Sequence, residues 1–196
     1  KRRIIRKGRG SVFSVDDFSD IGSRAAIELI LVRLTHRGTI RRIARGLYDY
    51  PILDPDIGMI SPSVEAIASA LAGAGKLRLQ PSGAYAANIL GLSEQVPMRI
   101  VFLTDGASRR ILVGGREIIL KRTTPKNMSA SGRLGGSVIQ ALRYLGARSI
   151  DDNLIVRLRA AIPWEKKAEV LKDATSAPTW IRVLLQQCLA GKGNNE

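Results

Sequence analysis

The spacing of apolar positions divides the chain into a mixed head, a strand-rich middle and a helical end. Lys1 to Lys7 carries Ile4 and Ile5 among five basic residues. It reads equally as the end of an amphipathic helix stopped by Gly8 and Gly10 or as a flexible basic tail. Ser11 to Ser14, with Val12 and Phe13, has the pattern of a short strand. Val15 to Phe18 then reads as a short helix with Ser14 as N-cap and Asp16 and Asp17 in its first turn. Beyond Gly22, Ser23 is a cap for a helix to about His36, in which Ala26, Ile27, Ile30, Leu31 and Leu34 recur at helical spacing and define one apolar face. Gly38 suits the position after its end. From Thr39 to Tyr50 the period becomes that of strands: Ile40, Ile43, Leu47 and Tyr48 are apolar, Arg41, Arg42 and Arg45 are basic, and Gly46 permits a tight bend.

Residues 51–62, bearing Pro51, Asp54, Pro55, Asp56 and Gly58, have the composition of a linker. Ser63 to Leu71 reads as a helix capped by Ser63 with Ala66, Ile67, Ala70 and Leu71 inward. A short strand is expected around Leu77 to Leu79, and Ser82 to Leu90 as a helix ended by Gly91. Met98 to Thr104, Arg110 to Val113 and Glu117 to Arg122 are strand patterns with turn signals at Asp105-Gly106 and Gly114-Gly115. With no helix between them they predict an antiparallel meander rather than a crossover sheet. Ser137 to Leu145, Asn153 to Ala161, Ala168 to Ala174 and Trp180 to Leu189 follow as helices, punctuated by Pro163 and Pro178. The expected class is therefore α+β: a winged helix-turn-helix over residues 1–50, a linker at 51–62, a second domain over 63–190 with an antiparallel β-meander and several helices, and a loose tail at 191–196.

Charge sharpens this picture. The net charge is +14 and the pI near 10.7, which favours polyanionic partners. Residues 1–50 hold 12 Lys and Arg against 5 Asp and Glu, so half of the excess lies in about a quarter of the chain. A hydrophobic content of 45% is enough for a real core. Cys188 is the only cysteine, which excludes an intrachain disulfide and fits a reducing cytoplasm. No apolar run approaches membrane-spanning length, and KRRIIRKGRG lacks the apolar core of a signal peptide, so a cytoplasmic protein without a membrane partner is expected. The chain opens on Lys1 rather than Met, so the helix ending near Lys7 is expected to begin upstream of it.

Catalytic patterns are not found. One histidine, His36, and one cysteine exclude a His-rich or Cys-rich metal site, and Cys188 falls in an apolar helix pattern that suits a buried structural thiol. LAGAGK, with Gly73, Gly75 and Lys76, lacks the ending of a phosphate-binding loop and reads as a helix stop. Gly132, Gly135 and Gly136 read as a loop and helix start. The pairs Asp16-Asp17 and Asp151-Asp152 sit at helix starts, where capping accounts for them. No enzyme activity and no cofactor are expected. The chemistry that is present is electrostatic. Arg24 lies in the first turn of the expected recognition helix and is the candidate for base edges, with Arg33 and Arg37 on its polar side. Arg41, Arg42 and Arg45 on the wing suit phosphates or the minor groove. The alternative for each arginine is a solvated surface residue.

The runs RGSVFSVDDF, LVRLTHRGTIRRIARGLYDYP, PSGAYAANILGLSEQVP and VFLTDG resemble the AbiE-type antitoxin family of bacterial type IV toxin-antitoxin systems, from about Arg9 to Leu145. The resemblance implies a winged helix-turn-helix that binds the promoter of its own operon, joined to a domain that counteracts a nucleotidyltransferase-like toxin. Carried over by position, the DNA side falls on Ser23, Arg24, Arg33, Arg41, Arg42 and Arg45. On the antitoxin side Tyr85, Asn88 and Gln95 lie in the most specific phrase and are candidates for partner binding, with a structural Asn or Tyr an equal reading. Double-stranded DNA and a cognate toxin are the implied partners. The expected function is a sequence-specific DNA-binding repressor that autoregulates such an operon. The alternative is a protein-interaction module that neutralises the toxin, with DNA binding secondary or absent.

Overall fold

The computed structural model describes residues 1–73 and 77–189. The chain is α+β and divides into two compact units, Lys1–Leu77 with Arg110–Ile118, and Arg78–Arg109 with Ile119–Glu196.

The first unit begins with helix α1 (Arg2–Lys7), which resolves the two readings of the basic head in favour of a helix; Gly8, at φ +84°, ends it. Strand β1 (Val12–Ser14) leads into a 3₁₀ turn over Val15–Phe18. A capping box closes that turn, the Ser14 N–H donating to the Asp17 carboxylate at 2.8 Å. Helix α2 (Arg24–His36) starts on Ser23, whose hydroxyl accepts from the Ala26 N–H at 3.4 Å. The hairpin of β2 (Arg41–Ala44) and β3 (Leu47–Asp49) follows, bent at Gly46, whose φ of +74° favours glycine. The sheet order is β1-β3-β2, antiparallel throughout, with Phe13 opposite Tyr48. Phe13 is the centre of the core. Its ring meets Phe18 edge-on at 5.6 Å and stacks on Tyr48 at 6.4 Å, beneath Ile27 and Leu31 of α2.

The segment expected as a linker is structured. Strands β4 (Ile52–Asp54) and β5 (Gly58–Ile60) form an antiparallel hairpin, and its turn is closed by the Asp54 carboxylate, which accepts from the N–H groups of Asp56 and Ile57 at 2.9 and 3.0 Å. The Pro and Asp residues that suggested a linker are the turn chemistry of this hairpin. Helix α3 (Val64–Leu71), capped by Ser63 through the Ala66 N–H at 3.1 Å, also belongs to the first unit. The division between units thus falls after Leu77 instead of within 51–62. Gly73, at φ +66°, follows α3 as expected of a helix stop, while Gly75 and Lys76 lie outside the described residues.

The second unit contains β6 (Leu79–Ser82), α4 (Gly83–Ile89), β7 (Arg99–Thr104) and, from Ile119, the end of β9 (Arg116–Arg122); the rest of that hairpin, β8 (Arg109–Val113) from Arg110 and β9 as far as Ile118, belongs to the first unit. The strand expected at Leu77 to Leu79 begins at Leu79 and extends past Pro81, which is tolerated because β6 is an edge strand. The strand order is β6-β7-β9-β8, not a meander. A tight turn at Gly114-Gly115, at φ +57° and +77°, folds β9 back along β8. The β7–β8 connection is wider: the Ser108 hydroxyl accepts from the Arg122 N–H at 3.0 Å, and the Thr123 N–H donates to the Thr104 carbonyl at 2.9 Å. β9 therefore takes the position beside β7.

Helices α5 (Leu134–Leu145), α6 (Asp152–Ala161), α7 (Lys167–Asp173) and α8 (Thr179–Leu189) enclose a core that includes Val138, Leu142, Leu158 and Ile181. α5 begins three residues earlier than expected, so Gly135 and Gly136 stand in its first turn rather than in a loop. A Cβ on Gly135 would meet the Asp173 carboxylate at 2.5 Å, and one on Gly136 would collide with the Gln80 side chain and the Ala130 carbonyl. Close approach, not loop flexibility, selects these glycines. Asp151 caps α6, accepting from the Leu154 N–H at 2.7 Å. Residues 191–196, expected to be a loose tail, lie outside the described residues.

Candidate nucleic-acid interface

Helix α2 is apolar on nearly every side, and the elements against it decide which side is inward. Ile27, Leu31 and Leu34 are buried among the aromatic residues of the first unit. Ala26 and Ile30, expected on that same face, are instead exposed, together with Leu29 and Val32. The 3₁₀ turn and the sheet cover one stripe of the helix only, and periodicity alone had too many apolar positions to choose from.

The arginines divide into committed and exposed groups. Arg41 is committed: its guanidinium forks onto the Asp49 carboxylate at 3.1 and 2.6 Å and donates to the Ile60 carbonyl at 3.0 Å. That hydrogen bond to Asp49 holds the Arg41 pKa above the ordinary arginine value. Arg24 is exposed but faces Asp16 and Glu28, each at 3.0 Å. Such solvated pairs are weak and exchangeable, so an incoming phosphate displaces them at little cost. Arg33, Arg37, Arg42 and Arg45 are exposed, and among the described residues no carboxylate pairs with them. Ser23 is occupied as the cap of α2, which keeps its hydroxyl on the protein's own backbone.

Part of the positive charge at the N-terminus serves the fold. Arg3 pairs with Asp20 at 2.6 Å and lies over the Phe18 ring, and the hydrogen bond from Arg3 holds the Asp20 carboxyl below the ordinary carboxylate range. Lys7 meets Asp17 at 3.2 Å. Arg9 covers the Tyr50 ring at 4.7 Å and donates to the Pro51 carbonyl at 2.8 Å. Within residues 1–50, the cations left exposed and without a carboxylate partner among the described residues are Lys1, Arg2 and Arg6 at α1, Arg33 and Arg37 on and after α2, and Arg42 and Arg45 at the bend of the β2–β3 hairpin. A helix of 13 residues is about 20 Å long, and with its side chains it has the width that a DNA major groove admits.

A family model described as a family of unknown function (DUF6088) matches residues 1–170. The chain belongs to this family. None of the curated proteins compared with this DUF6088 member matches it. Among solved structures it is similar to the crystal structure of the RV2827C protein from Mycobacterium tuberculosis, at 16% sequence identity, with 99% of this chain and 82% of that chain covered and a TM-score of 0.47.

In the second unit of the DUF6088 chain the three residues of the phrase SGAYAANILGLSEQVP have different fates. Tyr85 is buried with its ring 5.4 Å from that of Phe102. The Asn88 amide donates to the Ser93 carbonyl at 3.3 Å and ties down the segment after α4. Gln95 alone is exposed, at the rim of a cavity of about 560 Å³ that Tyr144, Ser149 and Arg157 also line. The Arg157 Nε is buried with no hydrogen-bond partner, a feature that no local pattern around Arg157 signals. Nor did the sequence reveal Asp49, 1% exposed, as the anchor of Arg41, or the exposed Leu29 and Val32; the only signal was that α2 has more apolar residues than one face holds.

Cys188 is buried, and desolvation pushes its thiol pKa up, against a smaller opposing pull from Arg159. Among the described residues no group of three or more His, Cys, Asp or Glu is arranged to hold a metal ion, and no helix is long and apolar enough to cross a membrane.

Proposed function

We propose that this protein is a sequence-specific, double-stranded-DNA-binding repressor whose first unit acts as a winged helix-turn-helix, with α2 as recognition helix and the β2–β3 hairpin as wing. One observation carries the reading. Within a single core, an exposed helix bearing Arg24, Arg33 and Arg37 runs through Gly38 straight into a hairpin that holds Arg42 and Arg45 in solvent. The sheet order β1-β3-β2 and the 3₁₀ turn before α2 give the order of parts that such a motif needs. Arg41 has a different part in this reading: it locks the wing onto its own base. The resemblance to AbiE-type antitoxins adds that the operon is the protein's own and that the protein is an antitoxin, and the reading takes it as cytoplasmic, non-enzymatic and without a cofactor.

A mobility-shift titration of the full chain on its native upstream region and on random duplex, at several salt concentrations, tests this. The expected preference for the upstream region is on the order of 10³-fold. Equal affinity for both duplexes refutes the repressor reading.

A second reading, a module that neutralises a nucleotidyltransferase-like toxin, is favoured by the cavity at Gln95 and the unpartnered Arg157 Nε in the second unit. Co-purification of the full chain with the product of the adjacent gene, lost on Gln95→Ala with Arg157→Met, is its expected signature. Unchanged co-purification by that variant removes this surface from the reading.

A further inference from the structure

The outward side of α2 is not the arginine-lined surface that a guanine-reading helix presents. Ala25, Leu29, Val32 and His36 follow one another at steps of four, three and four residues, which at 3.6 residues per turn brings them onto one line along the helix. That line lies opposite Ile27, Leu31 and Leu34, which are buried. All four residues of the outward line are exposed, Leu29 by 51% and Val32 by 44%. A leucine and a valine are thus held in solvent on a helix whose exposed flanks bear Arg24, paired there with the exposed Glu28, on one side and Arg33 and Arg37 on the other, with Arg42 and Arg45 on the following hairpin.

The occupant of such a face must satisfy two demands together: apolar contact along a narrow line and negative charge on both sides of it. A second copy of this cationic unit fails the second demand, since it would set arginine against arginine. Duplex DNA meets both. In its major groove the apolar group on a base edge is the thymine C5-methyl, flanked by phosphates.

Resting on the winged-helix reading above, we propose that Ala25, Leu29 and Val32 read thymine methyl groups, so that the operator half-site is defined by thymines rather than by arginine-read guanines. The arginines beside the line hold phosphates. Arg24, turned toward Asp16 and Glu28, is one of these and not the base reader. Ala25 and Val32 are about 10 Å apart along the helix axis, the rise of roughly three base pairs, so about two or three neighbouring thymines form the readable set.

The test starts from a duplex selected from a randomised pool by the full chain, then resynthesised with deoxyuridine in place of thymidine at one position at a time. This substitution removes a single methyl group and leaves every hydrogen-bonding edge unchanged. The expected result is a loss of about fourfold in affinity per sensitive position, the equivalent of one buried methyl, at about two or three neighbouring positions. Leu29→Asn with Val32→Asn is expected to abolish the difference between thymidine and deoxyuridine at the positions those two side chains face, leaving only the one that Ala25 reads, with the salt dependence unchanged. Both side chains are exposed, and a native circular dichroism spectrum confirms that the variant folds. Equal affinity for both duplexes at every position of a specifically bound sequence overturns the methyl reading and leaves the repressor reading standing. Failure to enrich any sequence overturns both. If the variant changes the oligomeric state in sedimentation while the methyl discrimination persists, the face is a seam between copies and the proposal is wrong.

Discussion

The Arg41 guanidinium closes onto the Asp49 carboxylate through two hydrogen bonds of 3.1 and 2.6 Å, directly across the β2–β3 pair. The two ends of this pair are unequal: the Asp49 side chain is 1% exposed and that of Arg41 is 32% exposed. Removing the cation strands a buried carboxylate and takes away the bond to the Ile60 carbonyl, whereas removing the carboxylate leaves a guanidinium that reaches water. Arg41→Ala is therefore expected to lower unfolding stability by about 3 kcal/mol, the lower end for a broken buried pair because Arg41 is partly solvated, and Asp49→Ala by about 1–2 kcal/mol. Urea unfolding of both variants checks the order. If Asp49→Ala proves the more damaging, the asymmetry argued from burial is incorrect.

Arg42 and Arg45 lie in the same hairpin without such a role. Neither touches a carboxylate among the described residues, so Arg42→Ala and Arg45→Ala are expected to change stability by less than about 0.5 kcal/mol. On DNA each is expected to weaken binding similarly for specific and random duplex and to reduce the slope of log affinity against log salt by about 1. Titrations at several salt concentrations measure that slope directly. An unchanged slope for both variants removes the hairpin from the phosphate contacts.

The elements of this chain were legible wherever a local rule decided them. Ser23, Ser63 and Asp151 cap their helices as their position before an apolar run requires, and Gly114-Gly115 turns the hairpin that a two-residue glycine pair specifies. What was not legible depends on contacts distant in sequence. Whether Ile30 or Leu31 faces inward is settled by Phe13 and Tyr48, not by α2 itself. The position of β9 beside β7 is settled by the width of the connection at Asp105 to Ser108, and two correct turn signals still left the strand order open. Among the candidate residues, sequence gave the arginines but not their partners: Asp49 is separated from Arg41 by a bend, and only the folded hairpin makes them neighbours.

Cys188 is buried against the core of the second unit, and the loss of hydration there disfavours its thiolate. Its folded pKa lies above the unfolded value. The stability linked to it is therefore fully present below the unfolded thiol pKa and is lost as pH rises through the folded one. Native protein is expected to resist a thiol-specific reagent at neutral pH and to react at the rate of an unfolded thiol only in denaturant. Following both rates from neutral to alkaline pH, alongside a Cys188→Ala control for the alkaline loss of stability, checks the sign. Rapid native reaction at neutral pH would contradict the burial argument.

Gly136 is expected to tolerate no side chain, for a reason that differs from that of the turn glycines. It sits inside α5 with ordinary helical geometry, and a Cβ would collide with the Gln80 side chain on one side and the Ala130 carbonyl on the other. Gly91 is the contrasting case: its φ is +66°, and a Cβ there meets nothing within 4 Å. Gly136→Ala is thus an overpacking change expected to cost about 1–3 kcal/mol, although alanine has the better helix propensity. Gly91→Ala is a backbone change expected to cost about 1 kcal/mol. A double-mutant cycle separates the two causes. Gln80→Ala alone loses the hydrogen bond to the Ser137 hydroxyl at 3.1 Å. In that background the cost of Gly136→Ala should fall by about 0.5 kcal/mol or more, because half of the obstruction has been removed, while that of Gly91→Ala should not change. The Ala130 carbonyl stays in place, so full recovery is not expected. Strict additivity of Gln80→Ala and Gly136→Ala would mean that the approach of α5 to β6 is not what requires glycine at this position.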